Sequence, residues 1–326
     1  MVKNETRGLV LALGAGGARG LAHIGVLEVL AEHGLKVRAI AGSSIGAQIG
    51  AFYACHEDVT RLSETALGVD WKQTLQLFLP DAANGGVCSG RNILSFLEHH
   101  LGSTNIEDFA IDFLAIATDL QSGEEVVLRR GSAAEAVRAS LSLPGLLAPH
   151  SWQGRLLIDG GVVNPVPFDV AAESFGDPVV AVAVHQGARS LSPAEMTPHP
   201  RAWRAQLRHL LDQSWVRRTK PVRAWLEEQL AEPTIAPGAH WRTRSVLTQA
   251  INIAQAQVVR LRLLTRQPAL YLTPDVEAIG PFEFYKARAA IAAGRAAARE
   301  RLADLHALAR AQEPRRVSGS SNPAPN

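Results

Sequence analysis

The sequence predicts an α/β protein: a mostly parallel sheet between two helical layers, followed by a helical C-terminal extension. Three observations carry that expectation. Short apolar runs alternate with segments of helical periodicity up to about residue 190. Two strand-loop-helix units follow one another at the start of the chain, and beyond about residue 190 the strand signal fades while helical patterns continue.

Leu9 to Leu13 is a short apolar run ending in Gly14-Ala15-Gly16-Gly17-Ala18-Arg19-Gly20, after which Leu21, Ile24, Leu27 and Leu30 recur at helical spacing. Lys3 and Arg7 before this run give it a superficial likeness to a signal peptide, but the run is short and glycines follow at once, so it reads as the first strand. The second unit is Val37 to Ala41, then Gly42-Ser43-Ser44-Ile45-Gly46, then a helix of small and apolar residues from Ala47 to Ala54. Further strands are expected at Phe113 to Ala117, Val126 to Leu128, Leu156 to Ile158 and Val179 to Val184, with a helix at Ala133 to Leu141. Such a sheet is buried on both faces, and its sites lie outside the carboxyl ends of its strands. Pro193, Pro198 and Pro200 mark a boundary, giving an α/β domain over 1–195, a mainly helical extension over 196–313 that packs on or covers it, and a disordered tail over 314–326. Ala269 to Leu272 is a late β-like piece that could return to the sheet.

Of the 326 residues, 47% are hydrophobic and 20% charged, which fits a globular chain with a real core. Cys55 and Cys88 cannot form a disulfide framework and lack nearby metal-ligand companions, so a reducing, cytoplasmic setting is expected. No apolar run reaches the roughly 18 to 20 residues that span a bilayer. Charge is uneven: residues 1 to 196 carry a net −8 and residues 197 to 326 a net +10. The basic half could face anionic lipid or simply present a solvated helical surface.

Gly42-x-Ser44-x-Gly46 between a strand and a helix fits a nucleophile elbow, a sharp turn that projects a serine hydroxyl. The bland alternative is a tight turn whose serine caps the helix. Acyl transfer also needs donors for the oxyanion, and the loop Gly14 to Gly20 can supply them through the N–H groups of Gly16, Gly17 and Ala18. Taken alone that loop reads equally well as a phosphate cradle. Dinucleotide binding, however, expects an acidic residue at the end of the second strand, where this chain has Gly42-Ser43-Ser44. Asp159-Gly160-Gly161 after Leu156 to Ile158 suits a carboxylate that must approach another loop closely.

These motifs resemble those of the patatin-like phospholipases. The likeness covers Gly16-Gly17-Ala18-Arg19-Gly20-Leu21-Ala22-His23-Ile24-Gly25-Val26-Leu27, the serine elbow, Ser140-Leu141-Ser142-Leu143-Pro144-Gly145, and Leu157-Ile158-Asp159-Gly160-Gly161-Val162-Val163-Asn164-Pro165-Val166-Pro167, in order. It is strong from residue 9 to about 190 and looser beyond, and Ala15 stands where many relatives carry a third glycine. The resemblance implies the three-layer fold of that family and a Ser44–Asp159 dyad in place of a triad. The expected activity is hydrolysis of a phospholipid, lysophospholipid or other acyl ester without metal or organic cofactor. An acyltransferase with the same dyad, or a weakly catalytic interaction protein on the same fold, are the alternatives.

A triad would need a histidine after Asp159, from His185, His199, His209, His240 or His306, with His185 the best placed. His23 is expected to be packed or solvent-facing. Arg19 is read as pinning its loop to a carboxylate in preference to binding a phosphate headgroup, and Asn164 and Pro165 as shaping the aspartate turn. Trp203, Trp215, Trp225 and Trp241 lie among Arg201, Arg204, Arg208, Arg217 and Arg218, and Trp203, Leu207, Leu210 and Leu211 would share one helix face. That face could dock peripherally on a membrane or pack over the α/β domain. Arg288, Arg295 and Arg299 line one side of an alanine-rich helix without interleaved aromatic residues, so a solvated face is expected and nucleic acid is not.

Overall fold

A computed structural model describes residues 8–78, 88–184, 223 and 243–311. Its strands are β1 (Leu9–Leu13), β2 (Val37–Ser43), β3 (Asp112–Asp119), β4 (Glu125–Leu128), β5 (His150–Trp152), β6 (Arg155–Asp159), β7 (Val179–Val182) and β8 (Leu270–Leu272). The helices are α1 (Ala22–Glu32), α2 (Ile45–His56), α3 (Val59–Gly68), α4 (Trp71–Leu77), α5 (Arg91–Leu101), α6 (Ala133–Ser140) and α7 (Phe168–Phe175), then α8 (Thr243–Thr265), α9 (Ala287–Glu300) and α10 (Leu302–Ala311).

The sheet runs β5-β6-β3-β2-β1-β7-β8, with β4 also on β3. Strands β3, β2, β1, β7 and β8 are parallel, as the alternation of strands and helices predicts. β4 and β6 run antiparallel to β3, and β5 pairs antiparallel with β6. The reversal is local chemistry. Gln153 and Gly154 both take positive φ, 47° and 79°, which closes β5 and β6 into a two-residue hairpin. β5 was not foreseen, because His150-Ser151-Trp152 has neither an apolar run nor an alternation.

β1 explains the two cores. All five of its residues are buried; Leu9, Leu11 and Leu13 enter the larger core with α1, α2, α5, α6 and α9, and Val10 and Ala12 enter the smaller one with α7 and Val259 of α8. Period-2 geometry sends neighbours to opposite faces, so a strand covered on both sides reads as an unbroken apolar run.

The second part of the chain shares this core. β8 pairs with β7, and Leu270, Leu272, Ile279, Ile291 and Leu305 join the cluster that holds Leu9 and Leu27. The late β-like piece therefore does return to the sheet, and the described part of the extension is continuous with the α/β unit. α9 packs along α1 through glycines. Arg295 pairs with Glu28 at 2.6 Å and also with Glu32, and Arg299 pairs with Glu32 at 3.2 Å. Arg288 and Arg299 are exposed, as a solvated arginine face requires, whereas Arg295 is half-buried and matched to acids on α1. The tryptophan-arginine stretch from Arg201 to Trp241 apart from residue 223, the boundary prolines, His185, His199, His209 and His240, Lys3 and Arg7, and the tail over 314–326 lie outside the described residues. No helix of the described residues is long and apolar enough to cross a membrane.

Candidate active site

β3 sets the geometry of the site. Its Ile116 pairs with Ser43 of β2, and its next residue, Ala117, pairs with Asp159 of β6. Residues 115 positions apart in sequence, Ser44 and Asp159, are thereby brought level at the end of the sheet, and the Ser44 Oγ donates to Asp159 Oδ2 at 2.6 Å.

Ser44 lies between β2 and α2 with φ 54° and ψ −123°, a conformation that costs a residue with a Cβ on the order of 1–3 kcal/mol. Its side chain makes no capping bond to α2, which decides against the reading of Ser44 as a helix cap. Ser43 is fully buried, and its hydroxyl has no hydrogen-bond partner among the described residues. The neighbours of Ser44 are small because the turn is crowded. A Cβ on Gly46 would lie 2.1 Å from the Leu13 carbonyl oxygen, and one on Gly42 2.5 Å from the Ala47 N and Cα.

Asp159 is 2% exposed, so burial pushes its pKa up to about 6, against the pull of the hydrogen bonds from Ser44 and Gly161. The Gly161 N–H donates to Oδ1 at 2.7 Å, the Asp159 N–H to the Ser142 carbonyl at 3.0 Å, and Thr118 Oγ1 to the Asp159 carbonyl at 2.8 Å. Gly160 packs against β3, where a Cβ would meet the Ile116 carbonyl oxygen at 2.1 Å. Asn164 is buried; its N–H donates to the Gly160 carbonyl and its amide to Asp169, so it does brace the aspartate turn. Arg262 of α8 adds a bond to the Val163 carbonyl at 3.1 Å and ion pairs with Glu125 and Asp169.

The glycine loop is held from several sides. Gly14 N–H donates to the Val182 carbonyl at 3.0 Å and Ala15 N–H to the Pro165 carbonyl at 2.8 Å. Ala18 corrects the expectation that it offers a donor: its N–H is spent on the Pro281 carbonyl at 2.8 Å. Gly16 and Gly17 remain, with no bond from their N–H groups among the described residues. Gly17 needs its glycine, with φ +60° and space for a Cβ only 2.3 Å from the Pro281 carbonyl oxygen. Gly17–Leu21 forms a 3-10 turn that leads into α1, and Gly20 sits against Ile45.

Arg19 pins this loop as expected, but to a backbone carbonyl: its Nε donates to Ile279 at 2.7 Å. Burial lowers its pKa, and Glu283 opposes that shift. His23 is fully buried. Burial drives its pKa down to about 4 against its bond with the Gly14 carbonyl, so the ring is neutral and donates from Nε2 at 2.8 Å. It therefore braces the glycine loop from below, a task the sequence reading did not assign. His306, the one triad candidate within the described residues, stacks edge-on against His33 with ring centroids 5.8 Å apart, away from the cavity lining.

Ser44 and Asp159 open onto a cavity of about 260 Å³. Its walls include Ile49, Phe52, Leu62, Phe96 and Leu147, with Gly16, Gly17 and Arg19 at the serine end. Gln255 and Asn252 of α8 also reach it, polar groups from the second half of the chain that no motif announces. No histidine lines the cavity among the described residues.

A family model described as patatin-like phospholipase matches residues 11–172. An uncharacterized NTE family protein of Mycobacterium tuberculosis is 38% identical over 177 residues, 54% of this chain and 49% of that protein. A second from the same organism is 30% identical over 305 residues, 91% of this chain and 46% of its own length. Lysophospholipase NTE1 of Pyricularia oryzae is 37% identical over 160 residues, 47% of this chain and 10% of that protein. The chain thus spans about half the length of the mycobacterial relatives. Among solved structures, VipD from Legionella pneumophila aligns with a TM-score of 0.42 and 15% identity over 93% of this chain and 67% of its own.

Proposed function

Because the chain belongs to the patatin-like phospholipase family, we propose that it is a lipolytic acyl hydrolase acting through Ser44 and Asp159. The observation that carries this reading is the 2.6 Å hydrogen bond from Ser44 Oγ to a buried carboxylate at the head of an apolar cavity.

The chemistry follows from that bond. A carboxylate with a pKa near its ordinary value, about 3.9, is a poor base, whereas burial brings Asp159 up to about 6, closer to neutral pH. As Ser44 Oγ attacks the ester carbonyl, its proton passes along the existing hydrogen bond to Asp159 Oδ2. Negative charge then builds on the carbonyl oxygen. The Ser44 N–H is already bonded to Ser140, and those of Gly14, Ala15 and Ala18 are spent on carbonyls, so Gly16 and Gly17 are the donors left for the oxyanion. Asp159 next returns the proton to the departing alcohol; the same carboxylate then takes a proton from the water that attacks the acyl carbon and gives it to Ser44 Oγ as the acid leaves.

The cavity supports a lipid acyl group as substrate. Ligand pockets usually hold roughly 300–1,000 Å³, so about 260 Å³ lined by Ile49, Phe52, Leu62 and Phe96 suits a single apolar chain. Peripheral contact with a membrane is consistent with such a substrate and belongs to the same proposal.

Time-dependent labelling with a fluorophosphonate probe, beside hydrolysis of a short p-nitrophenyl ester, tests the assignment. Ser44→Ala should lose labelling entirely and lower hydrolysis by about 10³-fold or more. Labelling and turnover that survive this substitution would sink the reading.

A further inference from the structure

Ser140, the last residue of α6, does not line the cavity, yet it is fully buried beside the nucleophile. Its hydroxyl makes two hydrogen bonds of opposite sense, accepting from the Ser44 N–H at 2.9 Å and donating to the Ile116 carbonyl at 2.6 Å. Building on the reading of Ser44 and Asp159 as a dyad, we propose that Ser140 is a positioning residue whose hydroxyl holds the Ser44 backbone where Oγ meets Asp159.

Strain makes such a group necessary. A residue with a Cβ at φ 54° persists only if its surroundings over-determine it. On its C-terminal side Ser44 is fixed by α2, since its carbonyl accepts from the Ala47 and Gln48 N–H groups. On its N-terminal side the β2 ladder stops at Ser43, and the Ser44 N–H is held by Ser140 alone among the described residues. The hydroxyl has one proton, and having accepted from Ser44 it must give that proton to Ile116, so its rotor has one arrangement. Ile116 is the β3 partner of Ser43, and the bridge therefore closes the gap that β2 leaves when it turns away.

The same turn also holds the other partner. Ser142, two residues on, accepts the Asp159 N–H on its carbonyl, and Arg138 fixes the Ser142 hydroxyl at 2.6 Å. Arg138 is itself buried and anchored on the carbonyls of Ser89, Gly90 and Ala148. One helix end thus carries the backbone anchors of both Ser44 and Asp159, and their separation is referred to a single rigid turn. A misplacement of about 1 Å can cost on the order of 100-fold in rate, so a lost anchor should act on the rate of attack and leave binding untouched.

The experiment measures the limiting rate of fluorophosphonate labelling and the probe concentration at half that rate, for the unmodified chain, Ser140→Ala, Ser140→Cys, Ser44→Ala and Ser63→Ala. Ser63→Ala removes a half-buried hydrogen bond to Glu28 at a residue that does not line the cavity, and so controls for general loosening. Ser140→Ala should lower the limiting rate by about 10- to 100-fold with the half-saturating concentration unchanged, while Ser63→Ala labels like the unmodified chain. Ser140→Cys, which keeps a weaker hydrogen-bonding group, should fall between, and it decides the matter if Ser140→Ala does not fold. A wild-type rate in either Ser140 variant, a change confined to half-saturation, or an equal loss in Ser63→Ala at matched melting temperature overturns the proposal. Labelling that persists in Ser44→Ala is a separate failure, that of the dyad itself.

Discussion

The seam between α1 and α9 and the corner where Ser44 meets Asp159 are both closely packed, but they treat backbone and charge in opposite ways. In the seam, glycine stands where the helices touch: a Cβ on Gly25 would lie 2.0 Å from the Ile291 carbonyl oxygen, and one on Gly294 1.8 Å from that of Ala22. Arg295 and Arg299 are matched there by Glu28 and Glu32. In the corner the positive φ falls on a serine, and the buried carboxylate receives hydrogen bonds from Ser44 and Gly161 but no ion pair from a described residue. The buried cation Arg138, on the helix end that anchors both residues, is occupied by carbonyls and the Ser142 hydroxyl. An arginine on Asp159 would pull its pKa down and, in the dyad we propose, weaken it as a base, whereas the same pairing stabilises the seam.

Asp159→Asn attacks this contrast hardest. Hydrolysis should fall by about 10³-fold or more, while stability near neutral pH rises. The sign follows from linkage. A folded pKa near 6, above the ordinary value of 3.8, means that stability present below the ordinary value is lost as pH rises through about 6. Asparagine carries no charge to bury, and its gain should be on the order of 1–3 kcal/mol, read as a higher melting temperature. An asparagine variant that is less stable than the unmodified chain at neutral pH would erase the distinction between the two regions.

Gly294→Ala is the converse. Overpacking the seam should cost about 1–3 kcal/mol or more in denaturant unfolding, with the labelling rate per folded molecule within about twofold of the unmodified chain. A large loss of rate in the folded fraction would show that seam and corner are coupled. The mildest probe is pH: kcat/KM should fall about tenfold per pH unit below about 6, as Asp159 takes up the proton it must be free to accept. A flat profile through that range would remove the buried carboxylate from the rate.

How much of this was legible depended on the range of the interaction. β1 and β2 could be read because each is a mainly apolar segment that stops at glycine, and Ser44 and Asp159 could be named because both stand at strand ends among glycines. The direction of β6 could not, since Leu156 to Ile158 reads alike in either sense; the positive φ of Gln153 and Gly154 reversed it. Ala18 looked as good a donor as Gly16, and what removed it is the Pro281 carbonyl, far along the chain. Arg138 and Ser140 did carry a signal, polar residues that with Glu135 interrupt a helix of small apolar side chains, but nothing local says what they hold.

By itself, then, the sequence determined the alternation of strands and helices, the turn that exposes Ser44, and the three glycine-bearing loops that meet at the end of the sheet. Those depend on backbone sterics and on periodicity, which act over a few residues. Only the tertiary structure decided which N–H groups stay free and that Asp159 is buried without an ion pair among the described residues, that His23 is neutral beneath the glycine loop, and that β8 and α9 join the same core. Each of these turns on what a polar or apolar group meets after the chain has folded, because burial and hydrogen-bond satisfaction are set by neighbours distant in sequence.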